Sequence, residues 1–254
     1  RGEGDWAWYT PEAALRREQQ EHAELTSAVG LDPSRPTVGL LTNVLWDAQL
    51  YYEGHAFRDM LEWLWFTIEH FAARPDRQLL IRIHPHEVKH GNRQPVGEEL
   101  RRRYPRLPEN VHVVGHDSPL NTYGLMSLCR SVLIYGTKTG VELTPLGQPV
   151  IVAADAWIRG KGLTLDAATK DEYAALLERA PTLEPLTDEE VERARRYSFH
   201  YFFRRMIPIV SLAPNHVEPT LGIRSLADLL PGRDPGLDVI VDGILHGREF
   251  VFDA

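Results

Sequence analysis

The chain has 254 residues, a formal net charge of −8 and 43% hydrophobic residues, which predicts a soluble globular protein. The acidic balance argues against nucleic-acid binding, which needs clustered cationic surface. The single cysteine, Cys129, excludes an internal disulfide. No segment reaches about 18 consecutive apolar residues and no signal peptide is visible. We therefore expect a cytoplasmic protein, with at most peripheral contact with the inner face of the plasma membrane.

Helical and apolar segments alternate along the chain. A helix is expected over residues 10–29, with Thr10 as its cap and Pro11 at its first position. Apolar strands follow at 37–43, 78–83, 110–115, 131–136 and 148–153, and the helices between them at 55–71, 97–105, 118–129 and 139–147. Ser118 is expected to cap the third of these helices and Gly147 to end the fourth. From residue 166 onward the pattern is helical.

Short apolar strands separated by helices indicate parallel βαβ units. Right-handed crossovers then give an α/β fold with a doubly wound, mostly parallel Rossmann-like sheet, followed by a helical C-terminal region. We expect a leading helix and linker over 1–35, the Rossmann-like domain over 36–165, and C-terminal helices packing on it over 166–254. In such sheets, ligands bind beyond the carboxyl ends of the strands.

Polar residues fall at several of these predicted strand ends. The second strand ends in IRIHP, where Pro85 fixes its own φ and holds His84 in an extended conformation. Asn43 ends the first strand, and Ser118 follows the third. These residues are expected to lie on one rim of the sheet, although His84 is also consistent with a simple exit from a strand.

The segment YGTKTGVE, residues 135–142, joins the fourth strand to a helix. Gly136 allows a tight turn, and the hydroxyls of Thr137 and Thr139, on either side of Lys138, add donors to the free N–H groups of the helix terminus. The segment is neither a Walker P-loop nor a dinucleotide fingerprint, and taken alone it is better explained by Thr139 as a plain helix cap. Together with His84, it predicts a site for a phosphate-bearing ligand, with a nucleotide as the expected kind.

A resemblance to a known family extends over residues 30–210. The chain resembles the capsule polysaccharide biosynthesis family, the HP-motif GT-B glycosyltransferases related to Kdo transferases, in the order TNVLWD, IRIHP, SxLxxYxLMxxC, YGTKTGVELTPLGQPVIV and WIRGKGLTLD. It is more distantly similar to bacterial sialyltransferases and teichoic acid glycerophosphotransferases. Relatives often carry serine where this chain has threonine in the YGTKTG turn, a mild departure because either hydroxyl donates.

The resemblance implies one half of a GT-B fold, which binds the nucleotide sugar of capsular or surface polysaccharide synthesis, with a CMP-sugar such as CMP-Kdo favoured. His84 would act as the catalytic residue at the donor phosphate, with Thr137 and Thr139 on the same phosphate. Glu142 stands where many GT-B enzymes place a carboxylate on the ribose. Arg159 and Lys161, from WIRGKG, would reach the same anion, unless they belong to a plain surface loop. The resemblance implies no metal and no cofactor.

The family also implies residues that this sequence does not show. GT-B enzymes of the inverting type usually take their catalytic base from an amino-terminal half, and here the first strand already begins at residue 37. We therefore expect that half in the same longer chain or in another chain, and a glycan or glycolipid as the acceptor. Asp47, Glu53 and His55 are the nearest base candidates, and a polar loop explains them as well.

Two other functions remain open from the sequence. HPHEVKH offers His84, His86 and His90 with Glu87 between them, as a metal-dependent hydrolase would require. The spacing departs from the HxHxDH pattern, and no second cluster of ligands follows downstream. A non-catalytic nucleotide-binding domain would keep the same rim and lack a base.

Overall fold

The computed structural model describes residues 22–45, 55–87, 92–213 and 220–253. Among these residues, those up to Ala194 form one compact unit and those from Arg195 onward form a second. The sequence predicts the boundary between the Rossmann-like domain and the C-terminal helices at residue 165. In the described residues, no helix is both long and apolar enough to cross a membrane.

The first unit is built on a six-stranded sheet in which every strand pairs in parallel with its neighbours. The strands lie in the order β3-β2-β1-β4-β5-β6, with bounds β1 Thr37–Leu41, β2 Gln78–Arg82, β3 Val111–Val114, β4 Ser131–Ile134, β5 Val150–Val152 and β6 Leu165–Asp166. This order reverses between β1 and β4, as in a Rossmann sheet. The predicted α/β, doubly wound Rossmann-like fold with a helical C-terminal region is confirmed.

Helices connect these strands and continue into the second unit. They are α1 His22–Val29, α2 Met60–Ala72, α3 Val96–Arg103, α4 Thr122–Ser127, α5 Thr139–Leu143, α6 Lys170–Arg179, α7 Asp188–Phe199 and α8 Pro235–His246. The chain also forms 3₁₀ turns at Thr144–Leu146, Ala180–Thr182 and Leu226–Leu229, and a π-helix at His200–Arg205. The part of the predicted helix at residues 10–21 lies outside the described residues.

Burial on both faces explains why β1 reads as an unbroken apolar run. Val38 and Leu40 belong to the core on the side of α2, where the Trp63 indole N–H donates to the buried Tyr173 hydroxyl of α6 at 2.6 Å. Gly39 faces the opposite side, where a Cβ would lie 2.6 Å from the Met126 sulfur of α4. Glycine therefore lets α4 lie close against the sheet.

The structure corrects one predicted helix start and adds short strands. Helix α4 begins at Thr122 and is capped by Asn121, whose side chain accepts hydrogen bonds from two backbone N–H groups. Ser118 is therefore not the cap of that helix. The predicted end at Gly147 is correct: this residue has φ +83° and closes the 3₁₀ turn that extends α5. Strand β6 was not predicted because it has only two residues.

The second unit contains a short antiparallel pair, β7 Leu212–Ala213 with β8 Thr220–Leu221, followed by α8. Asp234 caps α8 through the N–H groups of Gly236 and Leu237, and its other oxygen accepts from the backbone and hydroxyl of Ser211. These hydrogen bonds lower the pKa of Asp234 to about 2. The antiparallel pair was absent from the sequence prediction.

Candidate functional site

The carboxyl ends of β1 and β4 are joined where the strand order reverses. The Asn43 side-chain oxygen, on a residue only 8% exposed, accepts a hydrogen bond from the Gly136 N–H at 3.4 Å. The two strands are direct neighbours in the sheet, and ligands of doubly wound proteins bind at this switch point. The structure thus brings together two of the residues predicted from their positions at strand ends.

His84 follows β2, on the other side of β1. Its backbone N–H donates to the buried Thr42 hydroxyl at 3.0 Å, and its Nδ1 accepts from the His86 backbone N–H at 3.1 Å. Because Nδ1 is an acceptor, a neutral His84 ring carries its proton on Nε2. The turn through Pro85, closed by a bond from the Glu87 N–H to the His84 carbonyl at 3.0 Å, therefore fixes both the ring and its tautomer.

Glu87 anchors this turn to helix α3. Its carboxylate is buried and accepts hydrogen bonds from the N–H groups of Val96 and Gly97 at the start of the helix. Burial raises the pKa of Glu87, against these hydrogen bonds and the nearby His116 imidazole. A carboxylate held in this way is not presented to a metal together with His84 and His86. The described residues contain no group of three metal-binding side chains, and His90 lies outside them.

The GTKTG segment forms a tight turn between β4 and α5. A Cβ on Gly136 would lie 2.8 Å from the Asp155 carbonyl oxygen, so glycine is required by this close approach. The hydroxyls of Thr137 and Thr139 lie 3.1 Å apart, and the Thr139 N–H donates to the Thr137 hydroxyl at 3.3 Å. Lys138, not Thr139, occupies the N-cap position, and no side chain caps the helix there.

Glu142, in the first turn of α5, is 1% exposed. Its Oε2 accepts a hydrogen bond from the Tyr123 hydroxyl of α4, whereas its Oε1 has no hydrogen-bond partner among the described residues. Burial raises the pKa of Glu142, and the Tyr123 hydrogen bond and the Lys138 charge act in the opposite direction. No pattern in the sequence indicates the Tyr123 contact.

Arg159 and Lys161 lie in different environments. The Arg159 guanidinium donates to three backbone carbonyls at the ends of β5 and β6, those of Val152 at 3.3 Å, Ala154 at 3.4 Å and Ala167 at 2.8 Å. These bonds use three of the five N–H donors of the guanidinium and hold it against the backbone. Lys161 is exposed on the same loop.

Ser118 lies at the β3 edge of the sheet, away from the switch point. Its hydroxyl accepts from the Leu120 N–H at 3.3 Å, and its carbonyl accepts from Arg82 at 3.4 Å. Arg82 is a buried cation that also donates to the Gly115 carbonyl, and burial lowers its pKa. Sequence analysis missed this role because Arg82 stands inside an apolar strand pattern.

The predicted site therefore divides into two groups. Asn43, Gly136, Thr137, Lys138 and Thr139 lie at the ends of β1 and β4, His84 lies one strand further along, and Glu142 is buried against α4. Since adjacent strands lie about 4.8 Å apart, the ends of β2 and β4 are separated by about 10 Å, a gap that an imidazole and a phosphate group can span together.

A separate polar cavity of about 580 Å³ lies at the opposite, amino ends of the strands, where Arg35 and Arg130 contribute to its lining.

Comparison with known proteins gives structural similarities only. No family model matches the chain, and no curated protein matches it. Among solved structures, the chain is similar to the β-Kdo 2,4-transferase KpsC of Thermosulfurimonas dismutans, with 20% identity and a TM-score of 0.44, over 74% of this chain and 56% of that one.

Two further solved structures are similar at the same level. The sucrose-phosphate synthase of Thermosynechococcus elongatus is 18% identical with a TM-score of 0.46, covering 68% of this chain and 44% of that one. The wall teichoic acid polymerase TagF is 11% identical with a TM-score of 0.45, covering 73% and 43%. The chain thus spans about half the length of the solved structures it resembles.

Proposed function

We propose that this chain is the donor-nucleotide-binding half of a GT-B glycosyltransferase of capsular or surface polysaccharide synthesis. The observation that carries the proposal is the constellation at the β1–β4 switch point, where Asn43 and Gly136 join and His84 presents a fixed tautomer from the next strand. A Rossmann-ordered sheet with polar groups at this edge suits a nucleotide ligand.

The proposed chemistry is displacement at the anomeric carbon of a nucleotide sugar. An acceptor hydroxyl forms the new C–O bond while the bond to the nucleotide phosphate breaks, and the electron pair leaves on the phosphate oxygen. His84 Nε2–H donates a hydrogen bond to that oxygen group as its charge grows, and so does whichever of the Thr137 and Thr139 hydroxyls is the acceptor in their mutual hydrogen bond. The acceptor's proton goes to a base supplied outside the residues described above.

Several other side chains are assigned to ligand binding. Asn43 and Gly136 shape the switch-point crevice, and Pro85 holds the His84 turn. Lys138 and Lys161 supply positive charge for the phosphate, and Glu142 binds the ribose. Arg159 is removed from this proposed set because its guanidinium already serves three backbone carbonyls. Ser118, held at the β3 edge, is removed as well.

The remaining parts of the proposal rest on the family resemblance. A CMP-sugar such as CMP-Kdo is the proposed donor, and a glycan or glycolipid is the proposed acceptor. The second GT-B half is proposed to lie in the same longer chain or in a partner chain. We place the reaction in the cytoplasm, with the acceptor at the inner face of the plasma membrane.

Calorimetric titration tests the nucleotide site. CMP, CDP, UDP and zinc are titrated into the wild type, His84→Ala and His86→Ala. Removing a hydrogen bond to a charged phosphate weakens binding by about tenfold or more, so His84→Ala is expected to lose that much CMP affinity. His86→Ala is the matched control, because it keeps the backbone N–H that donates to His84 and removes only the edge-to-face contact of the two rings, whose centroids are 5.6 Å apart. Tight zinc binding without nucleotide binding would replace this proposal with the metal-hydrolase function.

A further inference from the structure

The cavity at the amino ends of the strands has the size of a small-molecule site. Its volume of about 580 Å³ falls in the usual range for ligand pockets, roughly 300–1,000 Å³. Its walls come mainly from residues 33–37 before β1, 127–130 after α4 and 146–149 before β5. Among the described residues that line it, Arg35, Arg130 and His22 are basic and none is an aspartate or glutamate. The lining therefore favours an anion.

The two arginines stand on neighbouring parts of the cavity wall. The Arg130 backbone N–H donates to the Thr37 carbonyl at 2.8 Å, and Thr37 lies two residues beyond Arg35. The Arg35 Nε pairs with the Asp32 carboxylate at 3.0 Å and its Nη1 donates to the Pro75 carbonyl at 3.1 Å, which leaves its Nη2 donors. The Arg130 guanidinium has no partner in the described part of the chain. Arg130 thus supplies the main charge for a bound anion, and Arg35 adds donors.

Gln148 adds an acceptor to this cavity. It is 9% exposed, and its Nε2 donates to the Cys129 carbonyl at 2.9 Å. Because a carbonyl only accepts, this bond fixes the orientation of the amide, and Oε1 is left without a hydrogen bond from any described residue. The oxygen is not sealed in the protein interior, since the fully buried side-chain atoms that lack a partner there belong to other residues. It is therefore open to the cavity that Gln148 lines.

We infer that this cavity binds a phosphorylated sugar, with the phosphate on the guanidinium groups of Arg130 and Arg35 and a sugar hydroxyl donating to Gln148 Oε1. A phosphate monoester carries nearly two negative charges at neutral pH and matches the donor fork of arginine, so two guanidinium groups favour it over a single carboxylate. The free amide oxygen requires a donor on the same ligand, which a sugar hydroxyl supplies. The inference does not rest on the proposed function, because the nucleotide site lies at the other edge of the sheet.

Calorimetric titration with glucose 6-phosphate, inorganic phosphate and glucose tests the site. The wild type is expected to bind glucose 6-phosphate about threefold to tenfold more tightly than inorganic phosphate, because only the sugar reaches Gln148. Glucose without a phosphate should bind at least about tenfold more weakly than glucose 6-phosphate. CMP, bound at the carboxyl edge, should not compete with the sugar phosphate.

Variants separate the two contacts. Arg130→Met should weaken the binding of both phosphates by about tenfold or more. Gln148→Met should remove the preference for glucose 6-phosphate and leave the affinity for inorganic phosphate unchanged, which also shows that the variant is folded. If Gln148→Met does not fold, the wild-type comparison of the two phosphates decides this contact. Arg102→Met is the matched control, because Arg102 lies on the surface of α3, 71% exposed, and does not line the cavity.

Three results would overturn the inference. One is that glucose 6-phosphate binds no more tightly than glucose. Another is that Arg102→Met weakens its binding as much as Arg130→Met does, because the attraction would then be a general effect of surface charge. The third is that CMP displaces glucose 6-phosphate and loses affinity in Arg130→Met, which would make the cavity the nucleotide site. Sugar-phosphate binding without any nucleotide binding would support the inference and refute the proposed function.

Discussion

Replacing Arg159 by methionine removes three hydrogen bonds that tie the ends of β5 and β6 together. A hydrogen bond from a charged donor contributes about 1.5–3 kcal/mol when buried. The total here is smaller than three such bonds, because Arg159 is only partly buried and the Val152 carbonyl also accepts from the Ala167 N–H at 3.1 Å. We expect Arg159→Met to lower the free energy of unfolding by about 2–4 kcal/mol.

Urea unfolding followed by circular dichroism measures this loss as a shift of the midpoint at an unchanged slope. Lys161→Met is the matched control: Lys161 is exposed on the same loop, so its replacement should change stability by less than about 0.5 kcal/mol. It should instead weaken CMP binding in a salt-dependent way. The reasoning is refuted if Arg159→Met keeps wild-type stability and loses CMP affinity, because the guanidinium would then serve the ligand.

Three further predictions concern single positions. Gly136→Ala places a Cβ 2.8 Å from the Asp155 carbonyl oxygen and should lower the free energy of unfolding by about 1–3 kcal/mol, measured by urea unfolding. Asn121→Ala removes the cap of α4 and should cost about 1 kcal/mol, whereas Ser118→Ala should cost less than half of that; equal losses would contradict the assigned cap. Asp234 has its pKa lowered from 3.8 to about 2, so its stabilisation is complete above pH 3.8 and lost as the pH falls through 2. Asp234→Asn should flatten the acid limb of thermal unfolding, and an unchanged limb would contradict this.

The sheet could be predicted from the sequence because parallel strands buried on both faces leave continuous apolar runs. TVGLLTN and QLLIRI show this pattern over residues 37–43 and 78–83, and the structure ends these strands at Leu41 and Arg82. Strand β6 leaves no such signal, since two residues pairing at the edge of a sheet look like loop. The fold class could therefore be predicted from the sequence, whereas the shortest elements could not.

The start of α4 shows why local patterns mislead. Ser118 and Asn121 are both good capping residues ahead of the same helix. The choice depends on Arg82, which reaches from β2 to the carbonyls of Gly115 and Ser118 and holds that loop outside the helix. This contact joins residues more than thirty positions apart, so a local sequence pattern cannot predict it.

Part of the candidate site could also be predicted from the sequence. Strand ends in a parallel sheet share one edge, and this placed Asn43 and Gly136 together correctly. The hydrogen-bond partners of the charged side chains could not be predicted, because they come from other segments of the chain. The sequence predicts Arg159 as an anion ligand, whereas in the structure its guanidinium donates to three backbone carbonyls, and the Tyr123 hydroxyl reaches Glu142 from a different helix.

A crystal structure of the chain with CMP tests the central claim most directly. The account predicts the phosphate at the carboxyl edge of the sheet, within hydrogen-bond distance of His84 Nε2 and of the Thr137 or Thr139 hydroxyl. A nucleotide found instead in the cavity at the amino ends of the strands, with its phosphate on Arg35 or Arg130, would contradict it.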